Sequence, residues 1–456
     1  MDWNTINKIY IIGIEGGGTS SLASVLNGLG KQVSGVDEGD HFFSQILANQ
    51  KIDVCHKFDE KNLPIDADLI IYSSAYNIEN NRELKTAFEK YPAEKIIPYT
   101  MALAGLFNNY SNNIAICGTH GKTSVTAMLS YVLVEAGLKP NAIIGANVPQ
   151  LKGNSLVNKD SQLFILEADE YQNKLANYNP HIIVLNNIDY DHPDFFKSKE
   201  DYLEVFQDFV NKLPADGILI ANADDENVMK IIQNCSAKVI KYGQNSNNDI
   251  SNVETENHQQ FFTLDNLGKF VIQLPGKHNL ANAMAVILTC LELGLNVEEI
   301  RKHLANFQGA ERRLQRIGEY NGAVILDDFA HHPTEIRAAI AGAKQLYPDK
   351  KLIAVFHPHT FTRTKALFDD FAESFDEVNE LIVLDIYGSA REVQGQVSSA
   401  ELVDKIRTVN KILAKAENIH TLEACETYLR SILKQGDLLV LIGAGDLWEI
   451  GRNLIR

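Results

Sequence analysis

Basic charge is in deficit in this chain of 456 residues: Lys and Arg number 42 against 59 Asp and Glu, giving a formal net charge of −17. Such an excess of acid argues against nonspecific nucleic-acid binding and against attachment to anionic membranes, so an anionic ligand must be held by backbone dipoles and a few local cations. Cysteine is scarce too. The five, at positions 55, 117, 235, 290 and 425, lack paired metal-ligand spacing and fit a reducing compartment. No apolar run approaches the roughly 18 residues of a membrane span, and no basic segment followed by a long apolar one opens the chain. The expectation is a cytoplasmic protein without membrane insertion. No compelling Ser-His-Asp or Cys-His arrangement stands out, so a side-chain nucleophile is not expected. The length suggests about three domains, and 45% hydrophobic with 22% charged residues is ordinary for a globular protein.

What is present is organised around residues 114–124, Ile-Ala-Ile-Cys-Gly-Thr-His-Gly-Lys-Thr-Ser, which read as a strand, a glycine-rich turn and the start of a helix. That is a phosphate cradle. Gly118 and Gly121 let backbone N–H groups approach an anion, Lys122 can reach terminal phosphates, and the Thr123 hydroxyl stands where phosphate loops ligate magnesium. The loop is short, with Ile116 where the usual pattern has its first glycine.

Upstream, residues 9–20 give a buried-strand pattern followed by Gly13-Ile14-Glu15-Gly16-Gly17-Gly18 and a helical run. The spacing departs from the dinucleotide fingerprint, but a second strand ends in Asp37, placed to accept a hydrogen bond from a ribose or base, and a third ends in Ser73 and Ser74. Downstream, the strand beginning at Leu163 delivers Glu167-Ala168-Asp169-Glu170, an acid cluster suited to magnesium beside the phosphate loop. The next strand delivers Asn186, Asn187, Asp189, Asp191 and His192. Residues 244–260 are polar with little periodicity and read as surface hairpins or loops. At 275–282, Asn279 and Asn282 share a helix face, and either nucleotide contacts or N-capping by Asn279 would explain them.

After about residue 308 a fresh alternation of strands and helices begins, whose strand ends carry Asp327-Asp328-Phe329-Ala330-His331-His332, His357-Pro358-His359-Thr360-Phe361-Thr362-Arg363, Asp385 to Glu392, and Gly443-Ala444-Gly445-Asp446. Polar clusters after successive parallel strands are what a ligand crevice needs.

Together these motifs resemble the Mur ligase family over nearly the whole chain: Gly-Thr-His-Gly-Lys-Thr, Glu-Ala-Asp-Glu, Asp-His-Pro-Asp, Pro-Gly-Lys-His-Asn, Glu-Arg-Arg, Asp-Asp-Phe-Ala-His-His-Pro-Thr-Glu and Pro-His-Thr-Phe-Thr-Arg-Thr occur in the family's order. The resemblance implies an α/β protein of three domains, each on a largely parallel sheet. These are a Rossmann-like UDP-sugar-binding domain over 1–110, a P-loop ATPase over 111–311, and a Rossmann-like ligase domain over 312–456 that binds the amino acid and closes over ATP.

It implies ATP on Gly118, Thr119, His120, Gly121, Lys122, Thr123 and Ser124, with Asn279 and Asn282 at the adenine, Arg313 on phosphate with Arg312 beside it, and Asp328 on ribose. Mg2+ would be held by Thr123, Glu167 and His192. Gly13, Gly17, Asp37 and Ser74 would cradle the UDP part, and His332, His359 and Arg363 would face the amino acid, with Arg363 on its carboxylate. Lys122, Glu167, His192 and Arg363 would carry catalysis.

The activity so implied joins L-alanine to the lactyl carboxylate of UDP-N-acetylmuramate through an acyl phosphate, in peptidoglycan precursor synthesis. The alternatives are a recycling ligase that adds the L-Ala-γ-D-Glu-diaminopimelate tripeptide and a non-catalytic nucleotide-gated binding protein. The sequence departs from the family pattern at Glu15, Ala330 and Thr360, and Tyr171-Gln172 after the acid cluster resembles the recycling ligase.

Overall fold

The computed structural model describes residues 2–38, 41–244, 246–265, 267–388, 392, 395–410 and 413–456. Ser389, Ala390 and Arg391, part of the polar stretch after Asp385, lie outside them. The first sheet is β1 (Lys8–Ile12), β2 (Gln32–Val36), β3 (Asp53–Cys55), β4 (Leu69–Tyr72) and β5 (Ile96–Pro98), in the order β3-β2-β1-β4-β5. All its pairings are parallel. The order reverses at β1, so the glycine turn after β1 faces the crevice where open parallel sheets take ligands.

The second sheet holds β6 (Asn112–Cys117), β7 (Asn141–Val148), β8 (Gly153–Leu156), β9 (Leu163–Glu167), β10 (Ile182–Leu185), β11 (Ile218–Asn222) and β12 (Lys238–Tyr242). Their order is β12-β11-β10-β6-β9-β7-β8, with only the β7–β8 pairing antiparallel. β6 therefore lies between β9 and β10, and the phosphate loop, the acid cluster and the asparagine turn leave one edge side by side.

Residues 250–272, whose N-terminal part read as polar surface hairpins or loops, form a small antiparallel sheet of β13 (Ile250–Glu256), β14 (Gln259–Leu264) and β15 (Gly268–Ile272). Its inner face turns Phe262, Leu264, Phe270 and Ile272 into an apolar cluster shared with the buried helix Lys277–Glu292. The fourth sheet comprises β16 (Gln315–Tyr320), β17 (Ala323–Asp328), β18 (Lys351–Phe356), β19 (Glu380–Leu384), β20 (Lys415–Ile419) and β21 (Asp437–Ile442). The order is β16-β17-β21-β18-β19-β20, parallel apart from β16 on β17.

Strands covered on both faces explain the near-continuous apolar runs. β21 is buried along its whole length, for example. One apolar cluster joins Ile9, Leu22 and Leu26 of the first unit to Phe164, Leu166 and Phe206 of the second, so these two sheets share a core. Among the described residues no helix is long and apolar enough to cross a membrane.

Candidate active site

Gly121 is the N-cap of the helix Lys122–Glu135 and has φ of 82°, in the left-handed region that glycine tolerates. A Cβ there would meet Asn282 Oδ1 at 2.6 Å. The loop thus needs glycine both for its turn and to bring its backbone against the asparagine helix. Gly118, with φ of 125°, packs against the backbone of Asn187 in the same way. His120 N donates to Asn187 Oδ1 at 2.8 Å, and Asn186 and Asn187 both donate to the His120 carbonyl, which fixes the loop's shape.

Two clefts, each of about 410 Å³, meet at this loop. In one, His120, Gly121 and Ser124 face Asn279, Asn282 and Asp328. In the other, Lys122, Thr123, Glu167 and His192 face Gly17 and Ser74 of the first unit. Gly121, Arg313 and Glu335 belong to both, so a ligand gripped at its phosphates can reach from one into the other.

Lys122 Nζ donates to Glu170 Oε2 at 2.8 Å and to the carbonyls of Gly118 and Thr119 at 2.6 and 3.0 Å. Burial works against its charge, but Glu170, Asp169 and Glu167 outweigh that and hold its pKa above the usual lysine value. Thr123 Oγ1 donates to Glu167 Oε1 at 2.7 Å, and the other Glu167 oxygen accepts from Gly145 N. His192 Nε2 lies 3.7 Å from Glu170 Oε1, and Tyr171 packs on its ring with centroids 4.6 Å apart. The expected magnesium ligands therefore split into two neighbouring groups, Thr123 with Glu167 and His192 with Asp169 and Glu170. The latter three offer ligand atoms within 4.8 Å of one another.

The C-terminal unit closes on this edge through charged contacts. Arg313 donates to Thr123 Oγ1 at 2.9 Å. His120 bridges Asp189 and Glu335, each at 3.1 Å. Burial opposes the charge on His120, yet these two carboxylates raise its pKa to about 9. Thr334 adds a hydrogen bond to Asp189 at 2.7 Å. Burial lifts Asp328 to about 6 against the pull of Arg313, and its carboxylate accepts from Ala330 N and Leu314 N.

Three sequence profiles match in succession: Mur ligase family, catalytic domain, over 8–111; Mur ligase middle domain over 116–290; and Mur ligase, glutamate ligase domain, over 312–445. A UDP-N-acetylmuramate--L-alanine ligase of Desulfitobacterium hafniense is 36% identical over 98% of this chain and 99% of its own length. The chain belongs to the Mur ligase family. A relative of the same name from Clostridium botulinum is 38% identical over 98% of this chain and 97% of its own. The solved UDP-N-acetylmuramate-alanine ligase of Thermotoga maritima superposes with a TM-score of 0.83 at 22% identity, covering 98% of both chains. A murein peptide ligase from Psychrobacter arcticus gives 0.74 at 22%, also over 98% of both chains. These structures share the three-unit fold.

Within this Mur ligase, Gly13, Asp37, Arg312, His332, His359 and Arg363 sit apart from the two cleft linings. Gly13, with φ of 80°, turns the chain beneath the glycine loop. Asp37 is spent on internal bonds, accepting from Glu15 N, Glu38 N and the Tyr76 hydroxyl. Asn279 is not the N-cap of its helix, which is Gly276; its amide donates to Pro275 O while both asparagines face the nucleotide-sized cleft. His332 caps the helix Pro333–Leu346, and its ring lies on that of His120 at 4.8 Å. Arg312 is turned away, donating to Gly443 O and Gly445 O. His359 stacks on Tyr387, and Arg363 is paired with Asp191.

Residues given no role by sequence also build the site: Glu335, together with His331, Asp189 and Asp191 of the polar clusters. A signal existed for Glu335. It lies three residues after His332 and closes a capping box, a spacing that marks a helix start.

Proposed function

We infer that this Mur ligase joins L-alanine to the lactyl carboxylate of UDP-N-acetylmuramate with cleavage of ATP. The carrying observation is the meeting of two clefts at Gly121, next to Lys122 and Thr123 of the second cleft, with the acid cluster on one side and Arg313 closing from the third unit. Near full-length likeness to ligases of that name supports the choice of substrates.

The residues fit ATP and magnesium. Asn186 Oδ1, on the wall of the first cleft, is buried without a hydrogen-bond partner. Three carboxylates, Glu167, Asp169 and Glu170, and the Thr123 hydroxyl make a mostly hard-oxygen donor set suited to Mg2+, with the His192 imidazole at its side. Bound magnesium would supply Lewis-acid charge to the phosphoryl oxygens. Thr123, Glu167 and His192 would hold it, with Asp169 and Glu170 beside them.

In this reading the lactyl carboxylate attacks the γ-phosphorus, ADP leaves, and the amine of L-alanine then attacks the acyl carbon and expels phosphate. The backbone N–H groups of the loop at 118–124 and Lys122 hold the phosphates, and Arg313 offsets charge as the phosphoryl group transfers, so the protein contributes positioning and electrostatics. Asn279 and Asn282 take the adenine and Asp328 the ribose. Gly17 and Ser74 face the UDP-sugar, whose domain we assign to 1–110, the ATPase to 111–311 and the ligase domain to 312–456. Such a role places the protein in the cytoplasm, in keeping with five free cysteines.

Phosphate release with ATP, Mg2+ and UDP-N-acetylmuramate, measured with and without L-alanine, tests this. Sustained release only when all are present is expected; binding of ATP without release would leave a nucleotide-gated binding protein.

A further inference from the structure

Glu15 is the acid on the glycine-rich turn, and nothing in the reaction above uses it. Its side chain is 1% exposed, and Oε2 is buried without a hydrogen-bond partner. A buried carboxylate oxygen with nothing to accept is costly, because folding removes its water and returns no bond. The surroundings deepen the problem. Asp37, another carboxylate and 3% exposed, stands beside it, and the ligand atoms of Glu15, Asp37 and His41 lie within 4.8 Å of one another.

Asp37 is already aimed. The backbone N–H groups of Glu15 and Glu38 donate to it at 2.9 and 3.0 Å, and the Tyr76 hydroxyl at 3.2 Å. Outer hydrogen bonds of this kind orient carboxylates around metal ions. His41 is the half-open wall: its side chain is 38% exposed, and its Nε2 lies 3.5 Å from Asp37 Oδ1 and 3.1 Å from Glu38 O. A proton on His41 serves Asp37 and the Glu38 carbonyl, and it leaves Glu15 Oε2 as bare as before.

We propose that Glu15, Asp37 and His41 form a divalent-cation site on the shoulder of the glycine turn. Two carboxylates with one imidazole suit zinc or manganese better than magnesium or calcium. The ion would reach it past exposed His41, displace the proton from that ring, and complete its coordination with water. It gives the orphaned Glu15 oxygen a partner. It also cancels an acid immediately before Gly16, Gly17 and Gly18, which line the second cleft. The site is separate from the cluster of Asp169, Glu170 and His192, which belongs to the cleft already described.

The test titrates the full-length, chelator-treated protein with zinc ion and, separately, manganese ion, by calorimetry and by the rise in melting temperature. The wild type and His192→Ala, which removes the only imidazole from the cleft cluster and so weakens it, are compared with Glu15→Gln and His41→Ala. Both latter variants are expected to bind one equivalent at least about 10-fold more weakly, and to lose the metal-dependent rise that His192→Ala keeps. His41 is on the surface, so its variant reports even if Glu15→Gln folds poorly. Unchanged affinity and stoichiometry in His41→Ala, or loss of all binding in His192→Ala alone, would overturn the site.

Discussion

Arg363 of the C-terminal unit grips Asp191 of the central unit with two hydrogen bonds, Nε to Oδ1 at 2.8 Å and an Nη to Oδ2 at 3.2 Å. Both side chains are buried, at 5% and 4% exposure. The guanidinium proposed for the amino acid's carboxylate thus already holds a carboxylate of the protein, that of Asp191. For Arg363 to bind L-alanine, this pair must open or be shared.

Arg363→Lys replaces a planar fork with a point charge that cannot reproduce the paired geometry. The Michaelis constant for L-alanine should rise about 10-fold or more, with that for ATP changing little. Asp191→Ala leaves a buried cation unpaired and should cost about 3 to 5 kcal/mol in unfolding free energy. Equal shifts in both Michaelis constants for Arg363→Lys would remove the assignment to the amino acid.

Lys122→Met should lower turnover by about 100-fold or more, because the ammonium acts on charge that develops in transfer. It also strips Glu170, 1% exposed, of its cation. A loss of about 1 to 3 kcal/mol in stability is therefore expected alongside, unless the carboxyl takes up a proton. Stopped-assay turnover and chemical denaturation read the two effects separately, and near-normal turnover would contradict the role.

Glu167→Gln keeps an oxygen to accept from Gly145 N and an amide N–H that can donate to the Thr123 hydroxyl, but it offers magnesium a neutral amide, a far poorer ligand for a hard cation. The Mg2+ concentration giving half-maximal activity should climb steeply with little change in melting temperature. An unchanged magnesium curve would make Glu167 a structural partner of Thr123.

His120 should make the stability of the protein depend on pH. Its pKa is raised from 6.5 to about 9, with Asp189 and Glu335 overcoming its burial. A raised value means the stabilisation is fully present below about pH 6.5 and is lost as pH rises through about 9. The shift corresponds to at most roughly 3 kcal/mol. Unfolding free energies of wild type and His120→Asn should converge between those limits; parallel curves would show that the bridge contributes nothing.

The local parts of the site were legible in the sequence. The phosphate loop, the acids ending β9 and the asparagines after β10 follow from short spacings, and an apolar run such as β21 announces a strand buried on both faces. What stayed hidden is long-range pairing. Thr334 meets Asp189 across 145 residues and Arg363 meets Asp191 across 172, and no periodicity encodes such contacts. The hairpins at 250–272 were obscured differently. β13 is largely exposed on both faces, so its polar run carries no alternation, while the inward Phe262 and Leu264 of β14 sit beside polar neighbours.

The most direct measurement is the mass of the product formed from UDP-N-acetylmuramate, ATP and Mg2+ with L-alanine and L-Ala-γ-D-Glu-diaminopimelate supplied together at equal concentration. The L-alanyl product should dominate, with one phosphate released for each amide made. Exclusive formation of the tripeptide product would contradict the account and make the protein a recycling ligase, the reading to which Tyr171-Gln172 points.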